Sequence, residues 1–150
     1  MQVVTLNEDK TGILHRQCEL VDNLRSVEKH IEGMKELLFG AYNGTGKGLA
    51  APQVGLNKRM FILRFGNSIE VFINPEIIKA GSNKITIGEG CLSVPGTYYN
   101  VTRPRKIGVK YLNERMLPQR AKFHDFDAVA FQHELDHLDG VLICDKGKAV

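Results

Sequence analysis

Gln132-His133-Glu134-Leu135-Asp136-His137 reads as His-Glu-x-x-His within a strongly apolar segment, and the expected layout of the chain is built outward from it. Histidines at i and i+4 stand one turn apart on the same helix face, where both imidazoles reach one metal ion. Glu134 then lies beside that ion as a candidate general base. A metal with an open position and an adjacent carboxylate is most of a hydrolase. The pattern is short, so a third ligand and a cleft have to accompany it. The helix is predicted to begin near Asp125, capped by that carboxylate, and to run to about Leu138 before Gly140 stops it. At 3.6 residues per turn, Phe126, Val129, Ala130, His133 and His137 share one face, while Phe131, Leu135 and Leu138, with Ala128, make a core side. Gln132, Asp136 and Asp139 form a polar strip. The Phe126–Ala130 side leads to the histidines and reads as core or as the wall of a pocket for an apolar side chain.

Leu24, Val27, Ile31, Met34, Leu37, Leu38 and Ala41 recur at helical spacing, which predicts an amphipathic helix over 23–43. Asp22 or Asn23 suits its start and Asn43-Gly44 its end. β-type runs follow at Arg59–Phe65, Ile69–Ile73, Lys84–Ile87, Lys106–Leu112 and Leu117–Phe123. Asn113-Glu114-Arg115 supplies a turn between the last two, and Pro118 puts the final strand on a sheet edge. The fold class is α+β: mostly antiparallel sheets around a central metal-binding helix, with an N-terminal helix. A chain of 150 residues is expected to form a single domain that buries roughly 70% of its unfolded surface.

A net charge of +3 is slight. The one basic cluster, Arg103-Pro104-Arg105-Lys106, reads as a solvated strand edge in preference to an RNA or phosphate patch. No apolar run approaches transmembrane length, and the N-terminus lacks the order of a signal peptide. Three separated cysteines do not describe a disulfide framework. A reducing cytoplasm is therefore expected, with no membrane role and no direct nucleic-acid function.

Downstream of His137 the available donors are Asp139, Cys144 and Asp145. Upstream, Cys91 stands in Gly88-Glu89-Gly90-Cys91-Leu92-Ser93, where glycines let the backbone turn and present a thiolate. Taken alone, Cys91 reads first as a small buried hydrophobe, as do Cys18 and Cys144. Two histidines and one thiolate would leave a fourth metal position open, as a catalytic site requires. The loop Gly44-Thr45-Gly46-Lys47-Gly48-Leu49-Ala50-Ala51-Pro52-Gln53 fails as a phosphate loop, because Ala41 and Gly48 occupy the positions that need Gly and Ser or Thr. It also follows a helix, where a dinucleotide fingerprint follows a strand. Its glycines would let main-chain groups pair with a peptide, and the Gln53 amide can donate to an oxyanion; as an isolated element it is a surface loop.

Together, Gly46-Lys47-Gly48-Leu49-Ala50-Ala51-Pro52-Gln53, Glu89-Gly90-Cys91-Leu92-Ser93 and Gln132-His133-Glu134-Leu135-Asp136-His137 resemble, in the same order, the three signature motifs of the peptide deformylase family. Val94-Pro95-Gly96 and Arg103-Pro104 are similar as well, and the layout from about Leu24 onward agrees. The resemblance implies a metal-dependent hydrolase that removes the N-formyl group from the formylmethionine of new polypeptides and releases formate. Carried over, Cys91, His133 and His137 are the ligands of one divalent ion, Fe²⁺ in the cell, with Zn²⁺, Ni²⁺ or Co²⁺ able to take its place. A metal-bound hydroxide would attack the formyl carbon, with Glu134 as general base and then acid. Gln53 and the Leu92 backbone N–H would hold the oxyanion.

The same resemblance has Gly46, Gly48 and Gly90 line up the substrate peptide, and Ile87, Phe126, Val129 and Ala130 wall the methionine pocket. Glu89 would pair with Arg103 behind the metal. Lys47 departs from the apolar residue that many members carry there; its charge would leave the cleft or bias the substrates accepted. The chain is similar to short forms that lack the usual C-terminal extension, such as those of some phages, or to a trimmed version. Ribosome contact is accordingly the function put in doubt; a monomer in the cytoplasm of a bacterium, or of a phage's bacterial host, is expected. Rival readings are a general metallopeptidase, a non-catalytic metal-binding module associated with translation, and a thiol hydrolase using Cys91 and His133.

Overall fold

Two antiparallel sheets hold the motif helix between them. The computed structural model describes residues 1–150, the side chain of Tyr42 excepted. In chain order the strands are β1 (Gly48–Ala50), β2 (Met60–Phe65), β3 (Ser68–Ala80), β4 (Lys84–Cys91), β5 (Val94–Pro104), β6 (Lys106–Leu112), β7 (Pro118–His124) and β8 (Lys148–Ala149). The α-helices are α1 (Glu28–Gly40), α2 (Asp125–Leu138) and the single turn α3 (Ile143–Lys146). The larger sheet has the order β1-β2-β3-β6-β7 and the smaller β4-β5-β8, with every pairing antiparallel. The α+β class and the antiparallel arrangement thus agree with expectation. Among the described residues no helix is long and apolar enough to cross a membrane.

β2 shows why the core lies on both faces of the larger sheet. Successive side chains of a strand point to opposite faces. Phe61 and Leu63 join Phe72, Val109 and the α2 residues Ala128, Phe131 and Leu138. Met60 and Ile62 join Val71, Ile73 and the α1 residues Ile31, Met34 and Leu38. Phe131 ties α2 into the first cluster: its ring meets Phe61 edge-on at 5.0 Å and Phe72 at 5.4 Å. Such aromatic pairs each add about 1 kcal/mol beyond area burial. α2 is thereby fixed along its Phe131 side, and the opposite histidine side is left to face the smaller sheet.

Several boundaries differ from expectation for local reasons. The first helix is shorter: Asn23 accepts from the Ser26 N–H at 3.2 Å and starts a 3₁₀ turn, and the α-helix itself begins at Glu28. A second 3₁₀ turn, Ala41–Gly44, follows it, with Asn43 and Gly44 both at positive φ. β3 continues seven residues past Ile73, through Asn74-Pro75, which reads as a stop because proline cannot donate to a ladder. The strand survives as a bulge between Ile73 and Glu76, pinned where Asn74 exchanges two 2.9 Å bonds with the Val21 backbone. β5 escaped prediction because Val94-Pro95-Gly96 resembles a turn, yet it pairs with β4 along most of its length.

Asp125 does not cap α2. It sits at φ 53°, and its carboxylate turns to Arg105 Nε and His124 Nδ1, both at 3.3 Å. The helix nevertheless spans Asp125–Leu138, as predicted, and ends before Gly140. That glycine, at φ 75°, is required, since a Cβ there would lie 2.6 Å from the His15 carbonyl carbon. The basic cluster is also not a solvated edge throughout: Arg103 is 2% exposed, inside the molecule.

Candidate metal centre

The smaller sheet brings Cys91 to the histidines. Cys91 closes β4, and the β4–β5 hairpin lays it against the last turn of α2, with Sγ 3.4 Å from His137 Nε2. The ligand atoms of Cys91, His133 and His137 all lie within 4.8 Å of one another. Zinc-like bonds of about 2.3 Å to sulfur and 2.0–2.1 Å to nitrogen, set at a tetrahedral angle, separate the two donors by roughly 3.5 Å. The observed spacing matches that geometry, so the three side chains fit one ion. Cys18, buried in the core, and Cys144 are not part of this group.

Buried charge around the donors fixes their orientation. Glu89 accepts from His133 Nδ1 at 2.9 Å and holds Arg103 through two bonds of 2.7 and 3.0 Å. Arg103 also reaches Asp136 at 2.7 Å, which in turn meets Lys146 of α3 at 3.0 Å. Burial alone would raise the Glu89 carboxyl, but hydrogen bonds from His133 and Arg103 outweigh it and keep it below the usual range. For His133, burial opposes the charged form, yet Glu134, Cys91 and Glu89 together hold its pKa well above the usual value. His137 goes the other way, pushed well down by burial and by the charges of His133 and Arg103. Binding His133 through Nδ1 leaves its Nε2 for the metal, a familiar arrangement for a ligating imidazole.

Glu134 is 4% exposed, with one carboxylate oxygen lacking any partner among the described residues. Burial pushes its pKa up to about 7, with His133 pulling downward. Its Oε2 lies beside the Gly48 backbone, and a Cβ at Gly48 would come within 2.6 Å of it. Gln53 is equally constrained. Its Oε1 accepts from the Ala50 N–H at 2.9 Å, so its amide nitrogen faces Ser93 Oγ at 3.1 Å and Cys91 Sγ at 3.6 Å. The N-terminal segment buttresses this corner: Val4 donates to the Gln53 carbonyl at 2.7 Å, and Ser93 Oγ donates to the Val4 carbonyl at 2.6 Å. Leu6 N–H completes it, donating to the Ser93 carbonyl at 2.8 Å.

A cleft of about 540 Å³ opens over these groups. Gly48, Gln53, Ile87, Glu89, Gly90, Cys91, Leu92, Phe126, Val129, Ala130, His133 and Glu134 all line it, as the motifs suggest. His137 and Arg103 do not line it; they are 1% and 2% exposed. Gly46 is the exception: it packs at the end of α1, where a Cβ would sit 3.0 Å from Ala41 Cβ and Leu38 Cδ1. Lys47 and Tyr98 also line the cleft. Tyr98 had no signal beyond its alternation in an unrecognised strand, whereas its ring covers Gly90 at 2.8 Å from a would-be Cβ. Asp136 and Ser93 lay inside quoted motifs, and only the tertiary contacts show what they hold.

A cysteine and two histidines gathered within reach of one ion, open to a cleft and flanked by a buried carboxylate, are the donor set of a metal-dependent hydrolase. Known proteins narrow that class. The family model for polypeptide deformylase matches residues 1–150. A peptide deformylase of Picosynechococcus sp. is 44% identical over 136 residues, covering 87% of this chain and 70% of that protein. The crystal structure of a peptide deformylase from Synechococcus elongatus in complex with actinonin superposes with a TM-score of 0.89 at 34% identity, over 99% of this chain and 79% of that one. The peptide deformylase from Thermotoga maritima gives a TM-score of 0.88 at 35% identity, over 98% and 97%. The chain belongs to the peptide deformylase family, enzymes that hydrolyse the N-formyl group.

Proposed function

We propose that residues 1–150 form one catalytic unit that removes the formyl group from N-formylmethionyl peptides in a bacterial cytoplasm. The observation that carries the mechanism is the convergence of Cys91, His133 and His137 beside the unpartnered Glu134 oxygen at the base of the cleft. A divalent ion held by the three side chains supplies Lewis acidity and lowers the pKa of water. Glu134 takes the proton as water oxygen bonds to the formyl carbon, then passes it to the leaving nitrogen as the carbon–nitrogen bond breaks. Formate and a free α-amino group result. Its buried position, with a pKa of about 7, suits a group that both accepts and returns a proton near neutrality. The Gln53 amide and the Leu92 N–H hold the developing oxyanion. The Ala50 N–H fixes Gln53 Oε1 and so turns the amide nitrogen toward Cys91 Sγ, the side on which the ion would be held.

β4 is an edge strand on its cleft side, because the smaller sheet continues only through β5 and β8. An extended substrate can therefore add to it by main-chain hydrogen bonds. The first side chain enters between Ile87 and the Phe126–Val129–Ala130 face of α2. Fe²⁺ is the ion assigned for the cell, with Zn²⁺, Ni²⁺ or Co²⁺ able to occupy the same donors. The deciding experiment measures formate release from a formyl-methionyl peptide by Fe²⁺- or Ni²⁺-loaded protein, beside the acetylated peptide. Fast release from the formyl peptide alone is expected. Equal rates on both, or none on either, overturn the assignment, and full activity after chelation would point to Cys91 as a nucleophile.

A further inference from the structure

Lys47 lines the cleft, yet the mechanism above gives it no task. It immediately precedes β1 and reaches the first turn of α2, where Nζ lies 2.7 Å from Asp127 Oδ1. The same ammonium donates to the Arg64 carbonyl at 2.6 Å. It also sits over two rings, 4.3 Å from the centroid of Phe65 and 5.8 Å from that of Phe126. A free lysine stem samples many rotamers at the surface; these partners fix this one, and its side chain is only 24% exposed. Lys47 is thus a cross-piece joining the start of β1 to α2, two of the elements that line the cleft together with β4.

Phe126 shows where that cross-piece stands. The helix face that lines the cleft runs from His133 back through Ala130 and Val129 to Phe126. That distance is about 10 Å along the axis at 1.5 Å per residue. Asp127 follows Phe126, so the Lys47–Asp127 pair lies at the end of the apolar face remote from the metal ligands. Two of the three ammonium hydrogens have oxygen acceptors, and the third faces the Phe65 ring. Two protein oxygens and an aromatic ring thus surround the ammonium, and the stem it anchors presents bulk to this end of the cleft.

We propose that Lys47 is a specificity-determining residue: tethered by Asp127, it closes the far end of the side-chain pocket and limits the bulk of the first residue accepted. This rests on the deformylase reading, which assigns the substrate's first side chain to that pocket. Lys47→Ala removes the cross-piece, whereas Lys47→Met keeps the stem and loses only the charge. Calorimetric titration of each Ni²⁺-loaded protein with unformylated Met-Ala-Ser and Phe-Ala-Ser gives the binding ratio, and kcat/KM on the formylated peptides gives the kinetic one.

In Lys47→Ala both ratios are expected to shift about tenfold toward the phenylalanine peptide, the usual scale for opening an apolar pocket, while Lys47→Met stays within about threefold of the parent. A ratio in Lys47→Ala within about twofold of the parent, or equal shifts in the two variants, would overturn the proposal. The titrations need neither a formyl group nor turnover. A parent chain that selects the methionine peptide, shifts as expected on substitution and releases no formate would therefore sink the deformylase reading alone.

Discussion

Two buried carboxylates with different neighbours set the residue-scale expectations. Glu134 has an oxygen free to work, so Glu134→Gln should retain metal, as read by equilibrium dialysis, and lower formate release by roughly 10²-fold or more. Near-normal turnover with full metal content would remove it from proton transfer. Glu89 instead binds His133 and Arg103. Stripping a buried ion of a partner costs about 3–5 kcal/mol; since Asp136 still meets Arg103, Glu89→Gln should cost about 2 kcal/mol in urea denaturation. Metal affinity should also fall roughly 10- to 100-fold, because His133 loses the anion that orients it. The folded Glu89 carboxyl lies below its ordinary range, so its stabilisation is complete above roughly pH 4.5 and is lost as acid protonates the folded form. Glu89→Gln should flatten that acid limb; an unchanged pH–stability curve would show the ion pair contributes nothing.

At the scale of elements, α2 is held by one side and works with the other. Phe131 meets Phe61, Phe72 and Phe123, so Phe131→Ala should cost about 3–5 kcal/mol in thermal or urea unfolding. A loss below about 1 kcal/mol would mean the aromatic cluster does not anchor the helix. This helix was legible in sequence nearly to the residue, because its apolar period, its histidines and Gly140 all agree. So were β6 and the edge position of β7, where strand and turn residues alternate plainly. β1 and β5 were not legible: three residues give no period, and Pro95 with Gly96 at φ 85° imitates a turn. The site followed the same rule. Donor identities sit in local motifs, but the burial of Arg103, the reach of Lys47 and the cover of Tyr98 over Gly90 are products of distant strands meeting.

For the whole molecule, the metal centre joins elements far apart in the chain, since Cys91 belongs to the smaller sheet and both histidines to α2. An ion that binds only the folded form should therefore raise the melting temperature as its concentration rises, by about 2.7 kcal/mol of stability at a hundredfold excess over Kd. The His133 imidazole is held above its usual pKa by Glu134, Cys91 and Glu89, so metal uptake competes with a proton for that ring. Affinity should accordingly climb with pH, and calorimetry in buffers of different ionisation enthalpy should register proton release. Uptake without proton release would contradict the charge arrangement around His133.

The strap of backbone from Val4 to Leu6 bears on how such a protein is handled and how it decays. Gln53 and Ser93 are propped by residues at the very front of the sequence, although neither motif hints at that dependence. A protease nick or a rigid fusion at the front end would thus act as an inhibitor from behind: folded, metal-laden protein with a misdirected Gln53 amide. Loss of formate release ahead of any loss of bound metal is the outcome expected when this strap is cut or displaced.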